Sequence, residues 1–139
     1  MQLNYIGIAT ATVVQFAIGA LWYSVLFGKL CMKMHDCDKL SREELKKMQQ
    51  AMMPFYGLQL LMTLITTVIL AIFLTYVPDW NYYALAGFIW FGFVLPTQVS
   101  GVIFGNTEKK WIVKKILVQT GMSLVGLEAA AIILHFLSM

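Results

Sequence analysis

The chain has 139 residues, 60% of them hydrophobic and only 12% charged, with a formal net charge of +3. A soluble domain of this size carries charge on about 25% of its residues, so a water-soluble globule is excluded and nothing remains for a separate domain. The positive balance does not indicate a nucleic-acid partner, because all ten Lys and Arg residues fall within 29–47 and 109–115, beside apolar runs rather than on a presented basic surface.

Four apolar runs, near 4–27, 54–77, 82–105 and 112–137, predict an all-α integral membrane four-helix bundle spanning 1–139 as a single transmembrane domain. Each run covers a hydrocarbon core of about 30 Å at ~1.5 Å per residue. The first run lacks the basic start of a signal peptide and reads as a retained span with Gln15 near its middle. It is followed by Cys31-Met32-Lys33-Met34-His35-Asp36-Cys37. Cys31, Met34, His35 and Cys37 form a soft donor set suited to Cu(I) or Zn(II). Their spacing matches no strong metal motif and Lys33 lies among them, so no metal or other cofactor is expected. Ser41 and Glu44 then form a capping box for an interfacial helix over 41–53, which lays Leu45, Met48 and Met52 on the cytoplasmic leaflet before Pro54 opens the second span.

The second span carries Gln59 and Thr63, and the turn Pro78-Asp79-Trp80-Asn81 leads to the third, where Pro96 predicts a kink beside Thr97 and Gln98. The fourth span carries Gln119, Ser123 and Glu128. Both connections that hold basic residues are cytoplasmic by the positive-inside rule, which puts the N-terminus and the C-terminus outside. Tyr5, Tyr76, Trp80, Tyr82 and Tyr83 then anchor the outer boundary, and Trp22, Tyr23, Phe55, Tyr56 and Trp111 the inner one. Small residues offer close helix contacts at Gly7/Ala11, Gly19/Ala20, Gly101-x-x-x-Gly105 and Gly126-x-x-x-Ala130.

A shift of 77 positions superposes Asn4-Tyr5 on Asn81-Tyr82 and Val25-Leu26-Phe27-Gly28 on Val102-Ile103-Phe104-Gly105, while a shift of 60 places Gln59 and Thr63 on Gln119 and Ser123. The chain therefore reads as two parallel-repeat helical hairpins. Amides and hydroxyls in hydrocarbon must find partners and mark the candidate site: Gln15, Gln59, Thr63, Thr97, Gln98, Gln119, Ser123 and Glu128. Gln59, Gln98 and Gln119 lie at matched depth and could share one network. Glu128 is the only acid within a span. The expected form is a neutral carboxyl bonded to a neighbour such as Thr12, with His135 on the same face toward the outer surface.

Two classes of function fit these residues. One is an oligomeric binding or permeation protein for a small solute, proton or lipid, and the other a non-transporting structural or accessory protein that binds a membrane partner. An enzyme is not expected, because no nucleophile–base pair or paired carboxylates can be placed together. The expected partners are membrane lipids and further copies of the chain.

Gly19-Ala20-Leu21-Trp22-Tyr23-Ser24 with Phe27-Gly28-Lys29, then Met32-Lys33, Glu44-Leu45-Lys46-Lys47 and Trp90-Phe91-Gly92-Phe93-Val94-Leu95-Pro96-Thr97, resemble the signature stretches of a widespread, mostly bacterial family. Its members are small four-span membrane proteins catalogued as a domain of unknown function. The resemblance covers essentially the whole chain. It implies the architecture and residence in a bacterial cytoplasmic membrane, and it carries no activity.

Overall fold

The computed structural model describes residues 3–137, which form an all-helical bundle. Four stretches are long and apolar enough to cross a membrane: Tyr5–Leu26, Arg42–Tyr76, Tyr82–Phe104 and Lys109–Leu137. The first joins α1 (Tyr5–Leu21) to a π-helical turn (Trp22–Leu26). A short helix, α2 (Gly28–Met34), lies in the first connection, and α3 (Arg42–Tyr76) supplies the second span. The third consists of α4 (Tyr82–Ile89), a second π-helical turn (Trp90–Val94) and α5 (Leu95–Phe104). The fourth is α6 (Ile112–Leu137), entered through a single 3₁₀ turn at Lys109–Trp111.

Asn4 sets the polarity of the bundle. Its side chain caps α1 by accepting from the Gly7 N–H at 3.0 Å, and its amide donates to the Leu137 carbonyl. The start of α1 and the end of α6 are thereby tied at one face, opposite both basic connections. At that opposite face Lys110 and Lys114 lie 5.5 and 5.2 Å from the centroid of the Trp111 ring, an arrangement suited to the head-group layer. The connection before it turns at Asn106, whose φ of 57° is one that Asn tolerates better than most residues.

The last helix, α6, is the hub. It packs against α1, α4 and α5, and only slightly against α3, whose main neighbour is α1. Close approach comes from small side chains: Gly7 and Ala11 of α1, Ala86 of α4, and Gly126, Ala130 and Ala131 of α6 are all buried. With Ile8, Leu70, Ala71, Leu127 and Leu134 the alanines form the hydrophobic core. That core occupies the half of the bundle that carries the termini. Gly101 and Gly105 differ from the expectation: both are exposed, and a Cβ at Gly101 would meet nothing within 4 Å.

Two further expectations are corrected. The interfacial helix over 41–53 and the second span are one continuous helix of 35 residues, with Pro54 inside it. The capping box is present, since the Ser41 hydroxyl accepts from the Glu44 N–H and the Glu44 carboxylate from the Ser41 N–H. Proline is tolerated because Gln50, whose carbonyl loses its helical partner, is exposed toward the interfacial end, where water can satisfy it. Pro96, in turn, gives not a bare kink but a π-helical turn just before it, closed by the Leu95 N–H on the Trp90 carbonyl. A wider turn relieves the clash between a proline ring and the carbonyl four residues earlier.

Candidate functional site

The polar side chains within the spans form two separate clusters. In the first, the Gln15 amide of α1 donates to the Thr67 hydroxyl of α3 at 2.6 Å, with a longer bond to the Ala11 carbonyl at 3.4 Å. Thr67 is wholly buried and passes its own proton to the Thr63 carbonyl at 2.8 Å. This is the one polar link between α3 and another helix among the described residues. Sequence reading found Gln15 but not Thr67, because a threonine within a span is most often satisfied by its own helix.

The second cluster joins the third and fourth spans. The Trp90 indole N–H lies 3.0 Å from the Ser123 hydroxyl and 3.1 Å from the Thr120 carbonyl, and Ser123 donates to the Gln98 side-chain oxygen at 2.8 Å. Trp22 makes a related contact, its indole N–H donating to the Val118 carbonyl at 2.9 Å. Its ring lies over Gly121, where an added Cβ would come within 3.2 Å of it. Both tryptophans open a π-helical turn and both reach carbonyls at one level of α6, so each clasps its span to the hub. π-helical turns of this kind concentrate at functional sites. Trp22 is therefore more than an interfacial anchor. The available signal was the near-repeat of Gly19-Ala20-Leu21-Trp22-Tyr23 in Gly87-Phe88-Ile89-Trp90-Phe91, 68 positions on.

The remaining candidates stand apart. Gln59 is exposed on α3 and bonds only within its own helix, to the Thr63 hydroxyl at 3.4 Å. The three glutamines therefore form no common network. The physical reason is the course of α3: from Arg42 to Thr66 every residue except Leu45 and Thr63 is exposed, so the helix leaves the others below Thr67. Gln119 is half-buried. Thr97 is exposed and returns its proton to the Phe93 carbonyl at 2.7 Å. Thr12, offered as a partner for Glu128, instead donates to the Ile8 carbonyl at 2.7 Å. Glu128 faces α4, where a Cβ at Gly87 would lie 3.3 Å from its carboxylate oxygen. His135, two turns further along α6, stacks on the Tyr82 ring with centroids 4.2 Å apart.

In the first connection Cys31 lies on α2, one turn before His35, and Asp36 turns the chain with a φ of 54°. Cys37 then points back, its thiol 3.4 Å from the His35 carbonyl. Burial pushes the Cys31 thiol up despite the nearby Lys115 ammonium, and burial followed by Lys115 pushes the His35 imidazole down. Among the described residues no three His, Cys, Asp or Glu side chains converge in an arrangement that could hold a metal ion. The Lys115 ammonium of α6 thus acts on both Cys31 and His35 of the first connection.

A family model described as a protein of unknown function (DUF1761) matches residues 6–135. The chain belongs to this family. Neither a curated protein nor a solved structure matches it.

Proposed function

We propose that this member of the family is an oligomeric membrane protein that binds a small polar solute or lipid head group at the cytoplasmic side of its bundle. The observation that carries the reading is the departure of α3 from the other spans below Thr67, with Gln59 and Thr63 left on it. Gln59 lies seventeen residues from Tyr76 at the other end of α3. That is about 26 Å at 1.5 Å per residue, still within a core of about 30 Å. An amide at that depth bonded only to its own helix is costly unless a ligand or another subunit satisfies it. The core between the helices is closed, with Ala11, Ala86, Ala130 and Ala131 at no exposure, which favours function through an assembly over conduction by one chain.

Native mass spectrometry from a gentle detergent tests the proposal. Wild-type protein is expected as a multimer with retained small molecules or lipid, and Gln59→Leu as a form that loses one or both. A strict monomer with nothing bound overturns it. The second reading, a structural protein that binds a membrane partner, is favoured by the open face of α5 at Gly101, where an added Cβ would meet nothing within 4 Å. It predicts that Gly101→Leu, and not Gln59→Leu, disrupts assembly.

A further inference from the structure

At the face where α1 begins and α6 ends, the segment leading into α1, the other three spans and the turn between the second and third line a cavity of about 470 Å³. That size falls within the range of about 300–1,000 Å³ typical of small-molecule sites. Its walls are of two kinds. Leu3, Ala71, Leu74 and Leu134 make an apolar floor continuous with the core, whereas Asn4, Thr75, Asn81 and His135 supply polar groups. Trp80 and Tyr82 add aromatic surface from the turn between the second and third spans. Among the described residues no Lys, Arg, Asp or Glu lines it, and every Lys and Arg falls within 29–47 and 109–115, toward the other face.

The state of the polar groups narrows the chemistry of an occupant. The Asn4 amide is engaged on both sides, accepting from Gly7 and donating to Leu137. Thr75 gives its proton to the Ala71 carbonyl at 2.9 Å, which leaves its oxygen able to accept. The Asn81 amide donates to the Tyr83 hydroxyl at 3.2 Å, which leaves its carbonyl oxygen able to accept. The cavity thus offers acceptors on Thr75 and Asn81 above a greasy floor, and among the described residues no carboxylate, ammonium or guanidinium side chain lines it. We infer that it is a binding site for a neutral amphiphile with a hydroxyl-bearing head, of the monoacylglycerol type, the hydroxyls donating to Thr75 and Asn81 and the first methylenes lying on Leu74 and Leu134. This site is separate from the one proposed above around Gln59 and Thr63, and either can fail without the other.

The test uses full-length protein in phosphatidylcholine nanodiscs, with Cys31 and Cys37 replaced by Ser and Pro78, on the cavity wall, replaced by Cys. Labelling of that thiol by an impermeant maleimide should be slowed, saturably, by 1-octanoylglycerol. Octanoate and octyltrimethylammonium, of matched chain length but charged, should protect poorly. Thr75→Val should raise the half-protecting concentration by about tenfold, the worth of one hydrogen bond, and Thr75→Ser should restore it. Equal protection by the charged analogues, or none by octanoylglycerol in protein whose melting is unchanged, overturns the assignment. So does a Thr75→Val variant that folds and is protected like the parent.

Discussion

Thr67→Val is the sharpest test of how the second span is held. The change keeps the shape of the side chain and removes one hydroxyl from a position with no exposure, so packing is conserved. Gln15, itself only 7% exposed, loses its 2.6 Å acceptor and retains only the Ala11 carbonyl at 3.4 Å. In a water-soluble core, an amide stranded in this way costs about 1–3 kcal/mol. Within membranes, interhelical hydrogen bonds average about 0.6 kcal/mol and reach about 1.7, because helices separated in the bilayer also find partners. Thr67 makes the one polar link from α3 to another span among the described residues, which places the expected cost at the upper end, about 1.5 kcal/mol. The double variant Gln15→Leu/Thr67→Val strands no donor and should be less destabilised than the sum of the two single changes. Steric-trapping or detergent-unfolding measurements in bicelles give the four free energies of the cycle. Strict additivity, within about 0.3 kcal/mol, would refute the hydrogen bond as the clamp.

Four further outcomes follow from the geometry. Gly121→Ala should cost about 1–3 kcal/mol in thermal unfolding, because its Cβ meets the rigid, hydrogen-bonded Trp22 ring at 3.2 Å, whereas Gly57→Ala, with nothing within 4 Å, should be neutral or gain about 1 kcal/mol from helix propensity. Trp90→Phe leaves Ser123 bonded to Gln98 and removes the indole donor, so a loss of about 1–2 kcal/mol is expected, with Gln98→Leu in the same background adding less than it does alone. The His35 imidazole, held below its ordinary value of 6.5, binds fewer protons in the folded chain than in the unfolded one as pH falls past that value. Its contribution is therefore full above pH 6.5 and declines on acidification, so the melting temperature of wild type relative to His35→Gln should fall between about pH 7.5 and 5.5, and a flat difference would contradict the burial. For topology, an impermeant thiol reagent added outside should label Asp79→Cys and not Glu43→Cys in a background with Cys31 and Cys37 replaced by Ser.

Much of the architecture is legible along the chain, because a bilayer imposes length and polarity on each segment separately. The four apolar runs, the clustering of all basic residues in two connections and the Ser41–Glu44 capping box each depend on neighbours in sequence alone. Asn4, Gln15, Glu128 and the small-residue faces could likewise be singled out without a fold. Contacts between helices cannot be read in this way. Trp22 and Trp90 look like any boundary or span aromatic until their indole N–H groups are seen on the Val118 and Thr120 carbonyls, and a backbone acceptor leaves no mark in the sequence. Gln59, Gln98 and Gln119 share a depth, but depth does not fix direction, and only the divergence of α3 below Thr67 decides that Gln59 stays away from the others. The cavity at the Asn4 end arises because the lead-in to α1, three spans and one turn meet there, a property of helix tilt and packing. The sequence by itself thus determined which segments are long and apolar enough to lie in a membrane, since solvation acts residue by residue. The tertiary structure decided which polar groups satisfy one another and where space is left, since those depend on the relative placement of helices that the bilayer does not dictate.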